Sequence, residues 1–97
     1  MYYNMYIHSD LPKSLRWDPV KSEFLKHARG ASFDEVLTGP LLAIHLHETK
    51  SHQKKLIVFY KEDVWVIPFV EEDKYFFLKT MYRSRKHRKR FIKENKP

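Results

Sequence analysis

KKLIVFYKEDVWVIPFV, residues Lys54–Val70, decides the fold. Two runs of β-branched and aromatic residues, Lys54–Tyr60 and Val64–Val70, are separated only by the polar break Lys61-Glu62-Asp63. Such runs suit a pleated, buried surface, and so short a break between them reads as a hairpin of two central strands. Pro68 has no N–H to give to a ladder, so its nitrogen side faces an edge, a bulge or a strand end.

Working outward, LLAIHLHE (41–48) alternates Leu42, Ile44 and Leu46 with His45 and His47, the period of a half-buried strand. After the polar residues Glu71–Lys74, YFFLKTMY (75–82) reads as a fourth strand, with Lys79 and Met81 on one face. Every strand-to-strand link is short, which implies an antiparallel sheet. Towards the N-terminus, Asp18 is placed to cap a helix with Pro19 at its first position. Trp17, Val20, Phe24, Leu25 and Ala28 fall on one helical face, and Gly30 is the stop. Ser32-Phe33-Asp34-Glu35 is a capping box for a second short helix that ends at Gly39-Pro40. From about Ser84 the chain lacks Gly and Pro until Pro97, so a basic helix closes it.

The expected architecture is a single small α+β domain over residues 14–97. It is an antiparallel four-stranded sheet with two N-terminal helices and a C-terminal basic helix, packed on one face. Residues 1–13 carry Tyr2, Tyr3, Tyr6 and Ile7 without a clear period and are expected to form an extended lead-in. With 97 residues, 42% of them hydrophobic and 15% aromatic, the chain has material for one core. The absence of cysteine rules out a disulfide framework and a thiolate metal site. No apolar stretch approaches a membrane span and no signal peptide is evident, so a soluble, cytoplasmic protein with no membrane partner is expected.

The formal charge of +7 is informative once located. Residues 1–82 hold eleven Lys and Arg against eleven Asp and Glu, and the whole excess lies in the last 15 residues. A neutral body with one cationic segment points to a polyanion-facing surface, although a solvated basic tail or a landing site for an acidic partner chain has the same composition. Three features argue for a scaffolded site. Arg83 and Arg85 lie where the last strand hands over to the helix, Phe91 and Ile92 supply apolar atoms to dock it, and Tyr82 and Phe91 offer planes for a base. A helix N-terminus there would add a positive dipole end.

RNA can be cut by its own 2′-hydroxyl, provided a proton is removed, charge on phosphorus is stabilised and the 5′-oxygen is protonated. Arg and Lys serve the charge, and His87 and Tyr82 are the available proton carriers. No P-loop, nucleophile elbow or HExxH motif is present. His45, His47 and His52 could form a histidine trio, but no carboxylate or second pair stands at metal spacing, and solvent-facing histidines are the simpler account; neither metal nor cofactor is expected. The residues alone therefore leave a nucleic-acid binder and a small metal-independent ribonuclease side by side.

RWDPVK (16–21), LKHARGASFDEV (25–36) and FLKTMYRSRKHRKRF (77–91), in that order, resemble the BrnT-type toxins of bacterial type II toxin–antitoxin modules. The resemblance implies a RelE-like fold, a ribonuclease that halts translation by cutting RNA on or off the ribosome, and a cognate DNA-binding antitoxin that masks it. It casts Arg85 and Lys86 as phosphate ligands with Lys79 before them. Combined with the chemistry above, the expected catalytic residues are Lys79, Tyr82, Arg85 and His87, with Arg83, Lys86 and Arg88 on RNA phosphates. The alternative is a non-catalytic nucleic-acid-binding module. Trp17, Asp18, Ser32, Phe33 and Glu35, although part of the resemblance, are accounted for as core and caps.

Overall fold

The computed structural model describes residues 4–6, 11–45 and 54–94, with the side chains at 4–6 and 91–94 excepted. Its elements are β1 (Asn4–Tyr6), β2 (Ser14–Trp17), α1 (Pro19–Arg29), α2 (Phe33–Val36), β3 (Leu41–His45), β4 (Lys54–Tyr60), β5 (Asp63–Glu71), β6 (Tyr75–Leu78), β7 (Tyr82–Arg83) and α3 (Arg85–Glu94). The result is a small α+β domain. Six strands lie in the order β1-β2-β6-β5-β4-β3, and β7 pairs with β5 on the flank that β6 also uses.

The hairpin read from Lys54–Val70 is the centre of this sheet, with Lys54 opposite Phe69 and Tyr60 opposite Asp63. The sheet itself is mixed, where an antiparallel one was expected. β2 runs parallel to β6, pairing Ser14 with Tyr75 and Arg16 with Phe77. A parallel pair needs a long crossover, and α1, α2 and the β3–β5 meander supply it. Leu15 and Trp17 are buried while Ser14 and Arg16 are half-buried, so the segment just before α1 follows the period of a strand. Part of the expected lead-in is also in the sheet, since Asn4 pairs with Trp17 and Tyr6 with Leu15.

The helix caps form as the residues dictate. The Asp18 carboxylate accepts the Val20 N–H at 2.9 Å, and Gly30 ends α1 at φ 89°. Ser32 and Glu35 close a complete capping box. Gly39 follows α2 where the chain passes the Phe59 carbonyl so closely that any Cβ would collide with it.

The buried face of α1 is only partly the expected one. Leu25 is buried, as expected, but Val20 and Phe24 are 73% and 59% exposed, and Ala28 is exposed as well. Ser22 points inwards beside Leu25 instead. The Ser22 hydroxyl accepts the Phe33 N–H at 3.0 Å and Arg29 donates to the Met81 carbonyl at 2.9 Å. These polar anchors at i and i+7 rotate the helix so that Leu25 between them meets the core.

Helices cover both faces of the sheet, not one. Leu25, Phe33, Val36 and Leu37 pack on the face formed by Leu15, Leu56, Val58, Trp65, Ile67, Phe69, Phe76, Leu78 and Met81. Residues opposite one another in neighbouring strands share a face, so Ile57, Val64 and Val66, with Ala43, Phe59 and Tyr82 around them, belong to the other. α3 contacts β5, and its His87 ring lies 6.1 Å from that of His45, on this second face. A bulge between Leu41 and Ala43 sends Leu42 to the second face while Ile44 stays on the first, which breaks the expected Leu42–Ile44 alternation. Leu46 and His47 lie outside the described residues. Among those described, no helix is long and apolar enough to cross a membrane.

Candidate functional site

The last strand is interrupted. β6 ends at Leu78 and β7 begins at Tyr82, with the Lys79 N–H donating to the Pro68 carbonyl at 2.9 Å in between. Strict alternation therefore fails, and Lys79 and Met81 do not share a face. Met81 is fully buried in the first core, whereas the Lys79 ammonium sits 5.7 Å above the Phe77 ring. Phe77 lies between the core residues Phe76 and Leu78 and so faces the second side. Pro68 is followed in the next strand by Lys55, and Lys55 by His45. Lys79, Lys55 and His45 thus form a basic row across the second face of the sheet.

α3 is laid over that face by its N-terminus. The Ser84 N–H donates to the Val64 carbonyl at 2.9 Å, and the Arg88 N–H reaches the Ser84 carbonyl at 2.9 Å, closing the first turn. Ser84 caps the helix by accepting the His87 backbone N–H at 3.2 Å, and its Oγ lies 2.8 Å from His87 Nδ1. A serine oxygen has two lone pairs and can accept both N–H groups, an arrangement that leaves the lone pair of the neutral ring on Nε2. Burial, followed by the positive field of His45, Lys55, Lys86 and Arg90, pushes the His87 imidazole below its usual value. A fixed, neutral imidazole amid cations is suited to taking a proton near a bound phosphate.

The other predicted residues divide between three places. Tyr82 is half-buried on the second face, packed against the Ile57–Val64–Val66 cluster. Arg83 is taken up structurally: its guanidinium stacks over Trp65 at 4.6 Å and pairs with Asp63 at 3.1 Å. Arg85, Arg88 and Lys89 line a cleft of about 480 Å³ with Glu62 and Asp63 at the β4–β5 turn. Arg88 Nε donates to the Glu62 carbonyl at 2.9 Å. Both turn residues, Lys61 and Glu62, have positive φ (48° and 66°), which turns the carbonyl towards the helix at a backbone cost that glycine would not bear. Lys86 and Arg90 lie on the His87 side, close enough to influence its protonation. The structure thus assembles Lys79, Tyr82, Lys86 and His87 on the second face, sets Arg85 and Arg88 at the turn, and turns Arg83, still exposed, to the first face. Phe91 and Ile92, expected to dock the helix and stack bases, have side chains outside those described.

Two residues of this surface were not among those expected to act on RNA. The sequence alone reads His45 as a solvent-facing strand histidine or a metal ligand, and Lys55 as a strand residue. The signal that finds both is register: antiparallel pairing puts His45 opposite Lys55, on the face that Ala43 and Ile57 define. Among the described residues no group of three or more His, Cys, Asp or Glu comes together, and His47 and His52 are not among those described. A second cleft, of about 460 Å³, lies between α1 and α2, where Lys26 and Glu35 pair with each other at 2.7 Å. No protein-family model, curated protein or solved structure matches the chain.

Proposed function

We propose that this protein is a metal-independent endoribonuclease that acts as the toxin of a type II toxin–antitoxin module. The observation that carries the reading is His87, held by Ser84 over the sheet beside His45 and within the field of Lys55, Lys86 and Arg90. Such a group takes the proton of a 2′-hydroxyl, and the cations around it offset the charge that builds on phosphorus. Arg85, Arg88 and Lys89 hold neighbouring phosphates of the same strand at the cleft by the β4–β5 turn. The sequence resemblance supports the toxin role, and with it inhibition of translation and a masking, DNA-binding antitoxin encoded nearby.

The test is incubation of the purified protein with labelled RNA in EDTA. Cleavage is expected to survive the chelator and to fall by about 10²-fold or more in His87→Ala. Expression of the wild-type chain, but not of His87→Ala, is expected to arrest bacterial growth. RNA that is bound with steep salt dependence and never cut identifies a nucleic-acid-binding module instead.

A further inference from the structure

An imidazole that takes the 2′-hydroxyl proton leaves the 5′-oxygen in need of a second proton carrier. The attacking 2′-oxygen must lose a proton and the departing 5′-oxygen must gain one, at opposite sides of the phosphorus. The His45 and His87 rings stand 6.1 Å apart at 44° to one another, one projecting from β3 and the other from α3. Each ring nitrogen reaches about 3 Å to the proton it exchanges, so two rings at this separation can flank a single phosphodiester. Lys55 lies directly across the ladder from His45, which places an ammonium group on the same patch for the phosphoryl oxygens.

We infer that His45 is the second proton carrier of the site, acting with His87 as an acid–base pair on RNA. The inference rests on the ribonuclease reading above and deepens it by naming substrate and product. His87 removes the 2′-hydroxyl proton; the 2′-oxygen forms a bond to phosphorus while the bond from phosphorus to the 5′-oxygen breaks; His45 gives its proton to the 5′-oxygen. The products are a 2′,3′-cyclic phosphate and a 5′-hydroxyl end, with no water, metal or oxidant consumed. Each turnover leaves a proton on His87 and removes one from His45, and exchange with solvent resets the pair. The Ser84 hydroxyl fixes the His87 ring through Nδ1, and burial, followed by the charges of His45, Lys55 from β4, and Lys86 and Arg90 from α3, lowers its hold on a proton, which suits His87 to the base role. DNA lacks the nucleophile and is not a substrate.

The leaving group separates the two roles. A substrate in which sulfur replaces the bridging 5′-oxygen expels a thiolate, which needs no proton. His45→Ala is expected to cut ordinary RNA about 10²–10⁴-fold more slowly and to regain near wild-type rate on the sulfur-bridged substrate, whereas His87→Ala stays slow on both. His45→Gln, which keeps polarity and bulk without donating a proton in this way, is expected to match His45→Ala; folding of each variant is read by circular dichroism, and the Gln variant serves if the Ala variant unfolds. The pairing is overturned if folded His45 variants cut RNA at the wild-type rate, if they are equally slow on both substrates, or if a strand with 2′-deoxyribose at the cut site is cleaved. Wild-type protein that cuts neither substrate removes the ribonuclease reading, and the pairing with it.

Discussion

At the scale of single residues, the chemistry turns on which face each side chain takes. Because burial and neighbouring cations oppose protonation of His87, its folded value lies below the unfolded value of about 6.5. Folding stability is therefore lost as pH falls from that unfolded value through the folded one, and RNA cleavage with His87 as its base is expected to fall over the same lower limb. Removing two of the surrounding charges, with Lys55→Gln and Lys86→Gln together, makes protonation easier and is expected to move the lower limb of the pH–rate profile to higher pH. A limb that stays in place or moves down excludes His87 as the base. Arg83 tests the opposite role. Its stacking on Trp65 and its pair with Asp63 predict that Arg83→Ala lowers the melting temperature while leaving RNA affinity within about twofold, because the guanidinium is already engaged. Sequence placed Arg83 correctly at the junction of strand and helix, and that junction was legible from the end of the apolar run. What sequence could not supply was the side. Alternation sets faces only while a strand continues, and the break at Lys79–Met81 resets the count.

At the scale of elements, legibility follows how local the determining interaction is. Asp18, Gly30, Ser32 and Glu35 act on backbone groups within four residues of themselves, so α1 begins and ends, and α2 begins, where their residues say, while α2 stops at Val36, short of the expected Gly39-Pro40. The orientation of α1 depends on Ser22 and Arg29 reaching Phe33 and Met81, and an amphipathic count that scores only apolar residues misses polar anchors. β2 escaped for a related reason: its alternation spans four residues, and its partner β6 lies some sixty positions away. The β4–β5 turn joins the two scales. Its two central residues are left-handed although neither is Gly, Asn or Asp, in a hairpin geometry that favours Asn-Gly. Replacing Lys61-Glu62 by Asn-Gly is therefore expected to stabilise the domain by about 1 kcal/mol, read as a higher denaturation midpoint with unchanged slope. The Glu62 carbonyl that accepts from Arg88 is kept in this variant, so RNA binding is expected to persist. Loss of stability would show that the Lys61 and Glu62 side chains contribute more than the backbone strain costs.

At the scale of the whole molecule, the charge distribution and the fold solve separate problems. The neutral body folds around two apolar clusters, one on each face of the sheet, and some of its acidic residues pair with its own lysines. Glu71 is an instance: hydrogen bonds from Lys13 and Lys54, at 2.8 and 2.7 Å, hold its carboxyl down at about 2 and tie the end of β5 to its neighbours. A depressed carboxyl contributes stability above its unfolded value of about 4.5 that disappears as pH falls through about 2, so this clamp is intact wherever the nuclease would work. The surplus cations lie mostly on α3, where one side faces the histidine pair and the other faces the turn cleft. The two sides should separate in experiment. Each phosphate neutralised on single-stranded RNA adds about 0.7 to the magnitude of the slope of log K against log salt. Converting Arg85, Arg88 and Lys89 to Ala is expected to flatten that slope by about 2 and weaken binding uniformly across RNA sequences, while cleavage at saturating RNA keeps the wild-type pH profile. Converting His45 and His87 to Ala should do the reverse, abolishing cleavage and leaving the slope within about 0.5. If the cleft variant also shifts the pH profile, the two sides of α3 act as one site, and the division of the basic helix into a grip and a cutting face fails.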